Sequence, residues 1–263
     1  MIAIIDYKAG NLTSVRLALE YIGVECEITN DPARILAADR VIFPGVGAAA
    51  EAMKNLRELQ LLEPIKTVVS RGTPFLGICL GTQVIFEYSE EDGGTPCIGL
   101  APGTVKRFTP SNPADKIPQM GWNAVEFRCF GEPFPRNQSA VLRCFGEPFP
   151  RNPNSVPRCF GEPLPRNQKA VPRCSGEPFP RNQSACHPLF NGIEDGSEFY
   201  FVHSYYPSPS DAAYTMGETE YADARFASVI GKGNLFATQF HPERSGRIGL
   251  KLLENFSRWD GKC

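Results

Sequence analysis

Phe75-Leu76-Gly77-Ile78-Cys79-Leu80-Gly81-Thr82-Gln83 constrains this chain more than any other stretch. An apolar run ends in Gly-x-Cys-x-Gly, and a helix-competent segment, residues 83–88, follows. That is the cysteine form of a nucleophile elbow, a strained strand-to-helix turn that lifts one side chain above a sheet. Gly77 and Gly81 suit it, because so tight a turn leaves little room for Cβ atoms beside the nucleophile. The helix would aim its first N–H groups and positive dipole end at the sulfur, favouring the reactive thiolate. The competing reading is a small cysteine buried after a core strand. These residues alone do not choose between the two.

The far end of the chain shifts the balance. Phe236-Ala237-Thr238-Gln239-Phe240 reads as a strand, and His241-Pro242-Glu243 follows it directly. A cysteine nucleophile needs a base, and the base needs an orienting group. The chain has only three histidines, His187, His203 and His241, and only His241 has a carboxylate two residues on. Glu243 can hold the imidazole tautomer and stabilise the imidazolium. A third piece is Val41-Ile42-Phe43-Pro44-Gly45-Val46-Gly47, a short apolar strand running into a glycine-bracketed loop. N–H groups of Gly45, Val46 and Gly47, with that of Leu80, could form an oxyanion hole. An ordinary strand-to-helix turn is the plainer alternative there. The loop lacks the lysine and glycine spacing of a P-loop.

With these motifs in view, the chain resembles the triad-type, class I glutamine amidotransferases. Gly-Ile-Cys-Leu-Gly-Thr-Gln and His-Pro-Glu carry the broad likeness. Narrower motifs resemble the glutaminase subunits of imidazole glycerol phosphate synthases. They are Asp6-Tyr7-Lys8-Ala9-Gly10-Asn11, Pro44-Gly45-Val46-Gly47, Met120-Gly121-Trp122-Asn123, residues 199–206 and His241-Pro242-Glu243-Arg244-Ser245. The likeness runs from Met1 to about Phe127 and resumes near His187. It implies an α/β fold, a flavodoxin-like open sheet with helices on both faces. It implies catalytic roles for Cys79, His241 and Glu243, contact of Gln83 with substrate glutamine, and no cofactor. It further implies that ammonia passes to a (β/α)8-barrel cyclase subunit in histidine biosynthesis, the two chains forming a heterodimer. Trp122, Tyr205 and Arg244 would face that barrel, although Trp122 and Tyr205 could equally be core aromatics. Arg244 differs from the lysine often seen there and keeps the charge but not its point-like geometry. Residues 44–47 would suit a hinge through which a loaded partner switches the glutaminase on.

The family pattern leaves the middle unexplained. Four tandem copies of a 15-residue unit begin at Cys129, Cys144, Cys159 and Cys174, and we delimit the insert as residues 128–185. It leaves 205 of the 263 residues for one amidotransferase domain. Each unit is rich in proline, which breaks helices and cannot donate to sheet ladders. The insert carries net charge +5 against −2 for the whole chain. We expect a solvated, irregular loop, since surface loops absorb length at modest entropic cost. A nucleic-acid role for its basic, Phe-bearing strip is the lesser reading. The Cys-x14-Cys spacing does not match zinc-ligand pairs, so no metal site is expected.

The small net charge gives no sign of a general polyanion binder. The apolar start, residues 1–6, is too short and unflanked for a signal peptide, and no apolar run approaches membrane-spanning length. Of nine cysteines four belong to the repeat, and the other five, Cys26, Cys79, Cys97, Cys186 and Cys263, show no framework spacing, which suggests a reducing, cytoplasmic setting. Hydrophobic patterning predicts strands at 2–6, 25–29, 40–43 and 75–78, alternating with helices at 11–21, 48–59, 63–70 and 83–88. That order implies parallel strands with crossovers. Strands at 104–108, 122–127, 198–205, 213–220, 226–232 and 234–240 follow, with a hairpin at 231–234 and a final helix at 246–259. Three rivals keep part of this picture: the glutaminase of another amidotransferase such as pyridoxal phosphate synthase, a cysteine peptidase, and a non-catalytic subunit whose insert blocks docking.

Overall fold

The computed structural model describes residues 1–8, 10–128 and 187–262. The repeat insert lies almost wholly outside the described residues.

The first half alternates as the pattern predicts. Strands β1 (Ile2–Ile5), β2 (Cys26–Thr29), β3 (Arg40–Gly45) and β4 (Phe75–Cys79) are parallel neighbours in the order β2-β1-β3-β4. Helices α1 (Leu12–Tyr21), α2 (Pro32–Ala37), α3 (Ala49–Glu58) and α4 (Leu62–Ser70) make the crossovers. The sheet continues through β14 (Leu235–Thr238), parallel to β4, then antiparallel through β13 (Ala224–Lys232), β12 (Thr215–Tyr221) and β9 (Glu126–Phe127). Helix α5 (Leu80–Val84) follows β4 directly, and α6 (Gly246–Arg258) closes the chain. Two small sheets flank this one. One pairs β8 (Gln119–Ala124) with β10 (Glu198–His203). The other has the order β11 (Tyr205–Pro209), β7 (Gly103–Arg107), β5 (Tyr88–Ser89), β6 (Thr95–Pro96).

Period-two alternation in β1 builds both layers of core. Ala3 and Ile5 face a cluster with Ile35 of α2, Met53 and Leu56 of α3, and Ile65 and Val68 of α4. Ile2 and Ile4 face the opposite cluster, with Val15, Ala18 and Leu19 of α1 and Leu252, Leu253 and Phe256 of α6. Helices therefore cover both faces. In α6 the buried positions 249, 252, 253 and 256 have the three-four spacing of one helical face. Its other face carries Lys251 and Arg258, both paired with Glu254. Burying a Leu or Phe there contributes about 2 kcal/mol each.

Several boundaries differ from the sequence expectation. Helix α2 is unforeseen, although Asp31 caps Ala33 N at 2.9 Å and Pro32 opens its first turn. The helix expected at 83–88 is instead α5, which begins at Leu80 and ends at Val84. The carbonyls of Val84, Ile85 and Phe86 are taken by N–H groups of Ile98, Leu100 and Gly99 at 2.7–2.9 Å, so the helix cannot continue. The strand expected at 198–205 divides at Ser204, and its halves join different sheets. The strand expected at 122–127 starts earlier and also divides, with β8 pairing β10 and β9 joining the main sheet. Gly233 and Asn234 form the two-residue turn of the expected β13–β14 hairpin.

Candidate active site

Cys79 stands at the C-terminal end of β4, and His241 lies three residues past the end of β14, the neighbouring strand. Carboxyl ends of parallel strands are where open α/β sheets place their sites. Cys79 has φ 53° and ψ −106°, a conformation few non-glycine residues adopt. The turn survives because its surroundings are locked. Thr82 Oγ1 donates to Thr238 O at 2.6 Å, tying α5 to β14. A Cβ on Gly81 would stand 1.8 Å from Phe43 O, so only glycine lets the elbow lie against β3.

Local hydrogen bonds also fix the histidine. His241 N donates to Tyr200 O at 2.9 Å, and Ser245 Oγ donates to His241 O at 2.6 Å. The His241 Nδ1 to Glu243 Oε1 distance is 2.8 Å, with both side chains almost wholly buried. A carboxylate at that distance requires the proton on Nδ1, which leaves Nε2 for the sulfur. Burial alone would depress the imidazole. The charge and hydrogen bonding of Cys79, and then of Glu243, outweigh it and push His241 up to about 10. The other two histidines behave differently. Burial pushes His187 and His203 down to about 4, so both are neutral near pH 7. His203 Nδ1 is spent on Tyr205 O at 2.8 Å.

A cavity of about 460 Å³ opens over the sulfur. It brings together eight of the residues singled out in the sequence: Val46, Gly47, Cys79, Leu80, Gln83, Tyr205, His241 and Arg244. Gly45 is buried beside it, paired with Cys79 in the β3–β4 register. Glu243 sits behind His241. Gln83 is buried, and its amide donates to Tyr205 O at 2.9 Å and to Gln239 Oε1 at 3.0 Å. Trp122 does not line the cavity. It is 54% exposed on β8, against Tyr200, so it is no core aromatic. Arg244 lies over the same Tyr200 ring.

Three further residues belong to this neighbourhood, none of which the sequence reading gave a role. Glu91 lines the cavity, and its carboxylate accepts from Ala49 N at 2.7 Å, capping α3 from a distance. Burial raises its carboxyl above the usual range. The Gln239 amide reaches Cys79 Sγ at 3.8 Å. Asn11 touches both Glu243 and His241. No local sequence pattern marks Glu91 or Gln239; only the fold brings Glu91 to the cavity and Gln239 to the sulfur. Among the described residues no cluster of His, Cys, Asp or Glu is arranged to hold a metal ion.

Residues 3–258 match a family model, Glutamine amidotransferase class-I, and the chain belongs to that family. Within it, the chain is 40% identical to the imidazole glycerol phosphate synthase subunit HisH of Herpetosiphon aurantiacus, over 97% of this chain and 93% of that one. It is 41% identical to the protein of that name from Moorella thermoacetica, with the same coverage of both chains. Solved structures share the fold at low identity. A structure titled glutamine amidotransferase superposes with TM-score 0.59 at 13% identity, covering 97% of this chain and 99% of the other. PurLQS from Thermotoga maritima gives 0.58 at 15% identity, covering 97% and 96%.

Proposed function

We propose that the chain hydrolyses glutamine to glutamate and ammonia, as the glutaminase subunit of an imidazole glycerol phosphate synthase. Cys79 is the nucleophile, His241 the acid and base, and Glu243 its orienting group. The thiolate attacks the carboxamide carbon, a C–S bond forms, and the carbonyl oxygen takes up negative charge. N–H groups of Leu80 and of the 45–47 loop receive that charge. The intermediate collapses with cleavage of the C–N bond, and His241 gives its proton to the departing nitrogen. Neutral His241 then takes a proton from water, which attacks the thioester. Collapse expels the thiolate and leaves the γ-carboxyl group of glutamate. Gln83 contacts the substrate. Glu91, the cavity's carboxylate, suits the substrate's α-ammonium group by charge.

Ammonia released into water would be protonated and lost. It passes instead to a (β/α)8-barrel cyclase subunit, which uses it to make imidazole glycerol phosphate and an aminoimidazole carboxamide ribotide. Exposed Trp122 and Val46, with Tyr205 and Arg244, form the docking face beside the cavity mouth. The setting is cytoplasmic. Cys26, Cys79 and Cys97 are free thiols, and no described helix is long and apolar enough to cross a membrane.

What supports this reading above all is the coupling of Cys79 to His241 to Glu243 in a chain about 40% identical, nearly end to end, to relatives of that name. Kinetics of glutamate release test it. Cys79→Ala should abolish release, and His241→Asn should lower kcat by about a thousandfold with a smaller change in KM. Undiminished release by Cys79→Ala would refute the assignment.

A further inference from the structure

The motif at residues 6–11 is not used by the mechanism above, yet its last residue reaches the centre of the site. Asn11 is the N-cap of α1, where an asparagine side chain ordinarily accepts from the helix's first N–H groups. Here it makes no capping bond. Its amide turns away and donates to Glu243 Oε1 at 2.5 Å, across 232 positions of sequence. The same Nδ2 lies 3.5 Å from His241 Nδ1. Both nitrogens carry protons, so they do not bond to each other. They converge on one carboxylate oxygen. Facing a carboxylate also fixes which end of the Asn11 amide is the NH2 group. The other oxygen, Glu243 Oε2, is buried without a hydrogen-bond partner among the described residues. The carboxylate is therefore held from one side only, by Asn11 and His241.

We propose that Asn11 is a positioning residue for the Cys79–His241–Glu243 relay, its amide holding the Glu243 carboxylate in line with His241 Nδ1. The proposal rests on the glutaminase reading for its kinetic consequence, but not for its geometry. Without the Asn11 donor, a buried carboxylate with a single partner is free to rotate, and the imidazole loses its fixed tautomer and direction.

Backbone shape is the competing explanation for an asparagine here. Asn11 has φ 75°, in the left-handed region that asparagine, aspartate and glycine tolerate best. Two substitutions separate the explanations, because both keep that backbone. Asn11→Gly removes the donor. Asn11→Asp keeps the shape, removes the donor and sets a second carboxylate against Glu243. If Asn11 positions the relay, both lower kcat at saturating glutamine by about tenfold or more, Asp the more strongly, with KM within about twofold. In a Glu243→Gln background, Asn11→Gly should add little further loss. If backbone shape alone matters, both variants keep wild-type kcat, which overturns the proposal.

Proton NMR of the full chain gives a readout independent of turnover. A low-field His241 Nδ1–H resonance, reporting the bond to Glu243, should be present in the wild type and lost or shifted upfield in Asn11→Gly. Its persistence in that variant, or its absence from the wild type, overturns the proposal. A wild type that shows the resonance but releases no glutamate, even with a loaded cyclase subunit, would instead sink the glutaminase reading and leave the Asn11 assignment standing.

Discussion

Oε1 of Glu243 accepts from His241 at 2.8 Å, and the Cys79 sulfur acts on the same ring, so two neighbours govern how this histidine titrates. The sign follows from that. Burial disfavours the imidazolium, and the charges of Cys79 and Glu243 favour it strongly enough to push His241 up to about 10 from an ordinary 6.5. Removing the thiol removes the larger of the two raising charges. In Cys79→Ala the His241 midpoint, followed by NMR, should fall from about 10 toward 6.5. A midpoint that does not move on losing the sulfur would show that the two side chains are not coupled. His241 and Glu243 were legible in the sequence because they stand two residues apart just past a strand. The roles of Asn11, Glu91 and Gln239 were not, because each comes to its partner in the site by tertiary placement. Asn11 even abandons the helix-capping role that its local sequence suggests.

Among elements, the elbow and the start of α6 leave least room for change. A Cβ on Gly81 would meet Phe43 O at 1.8 Å, and one on Gly249 would meet Pro242 O at 1.9 Å. Both obstacles are backbone atoms, so neither can swing aside. Gly249→Ala should drive α6 away from the turn that carries His241. Gly81→Ala should push the elbow off β3. Each should lower Tm by roughly 5 °C or more, an overpacking cost of about 2 kcal/mol, and lower activity with it. Wild-type Tm and activity in Gly249→Ala would mean that this contact does not position the histidine. The parallel half of the sheet was readable because its strands are continuous apolar runs with helices between them. The division at Ser204 was not, because the run through residues 199–206 stays aromatic while the chain changes sheets. The short α5 was also unreadable, since hydrogen bonds from residues 98–100, rather than any local breaker, terminate it.

Across the whole molecule, two buried neutral histidines make stability depend on acid. His187 packs against Phe236 and Trp259, His203 packs against Phe108 and Phe226, and burial pushes both down to about 4. The unfolded chain takes up these protons near 6.5, whereas the folded chain refuses them until about 4. Their contribution is therefore full above about pH 6.5 and drains away as pH falls toward 4, on the order of 3 kcal/mol for each. His187→Asn keeps an acceptor for Leu189 N but cannot titrate. It should flatten the fall in stability between pH 6.5 and 4 in denaturant titrations, and an unchanged slope would contradict this account. The fold as a whole exists to bring residues from β3, β4 and the end of β14 to one cavity, beside a face that bears exposed Trp122. The most direct test of that claim is glutamate release by the chain alone, then with a cyclase subunit loaded with its phosphoribosyl-formimino nucleotide. The account predicts low release alone and a large rise with the loaded partner, lost in Cys79→Ala. Release that ignores the partner, or is absent with a folded complex, would contradict it.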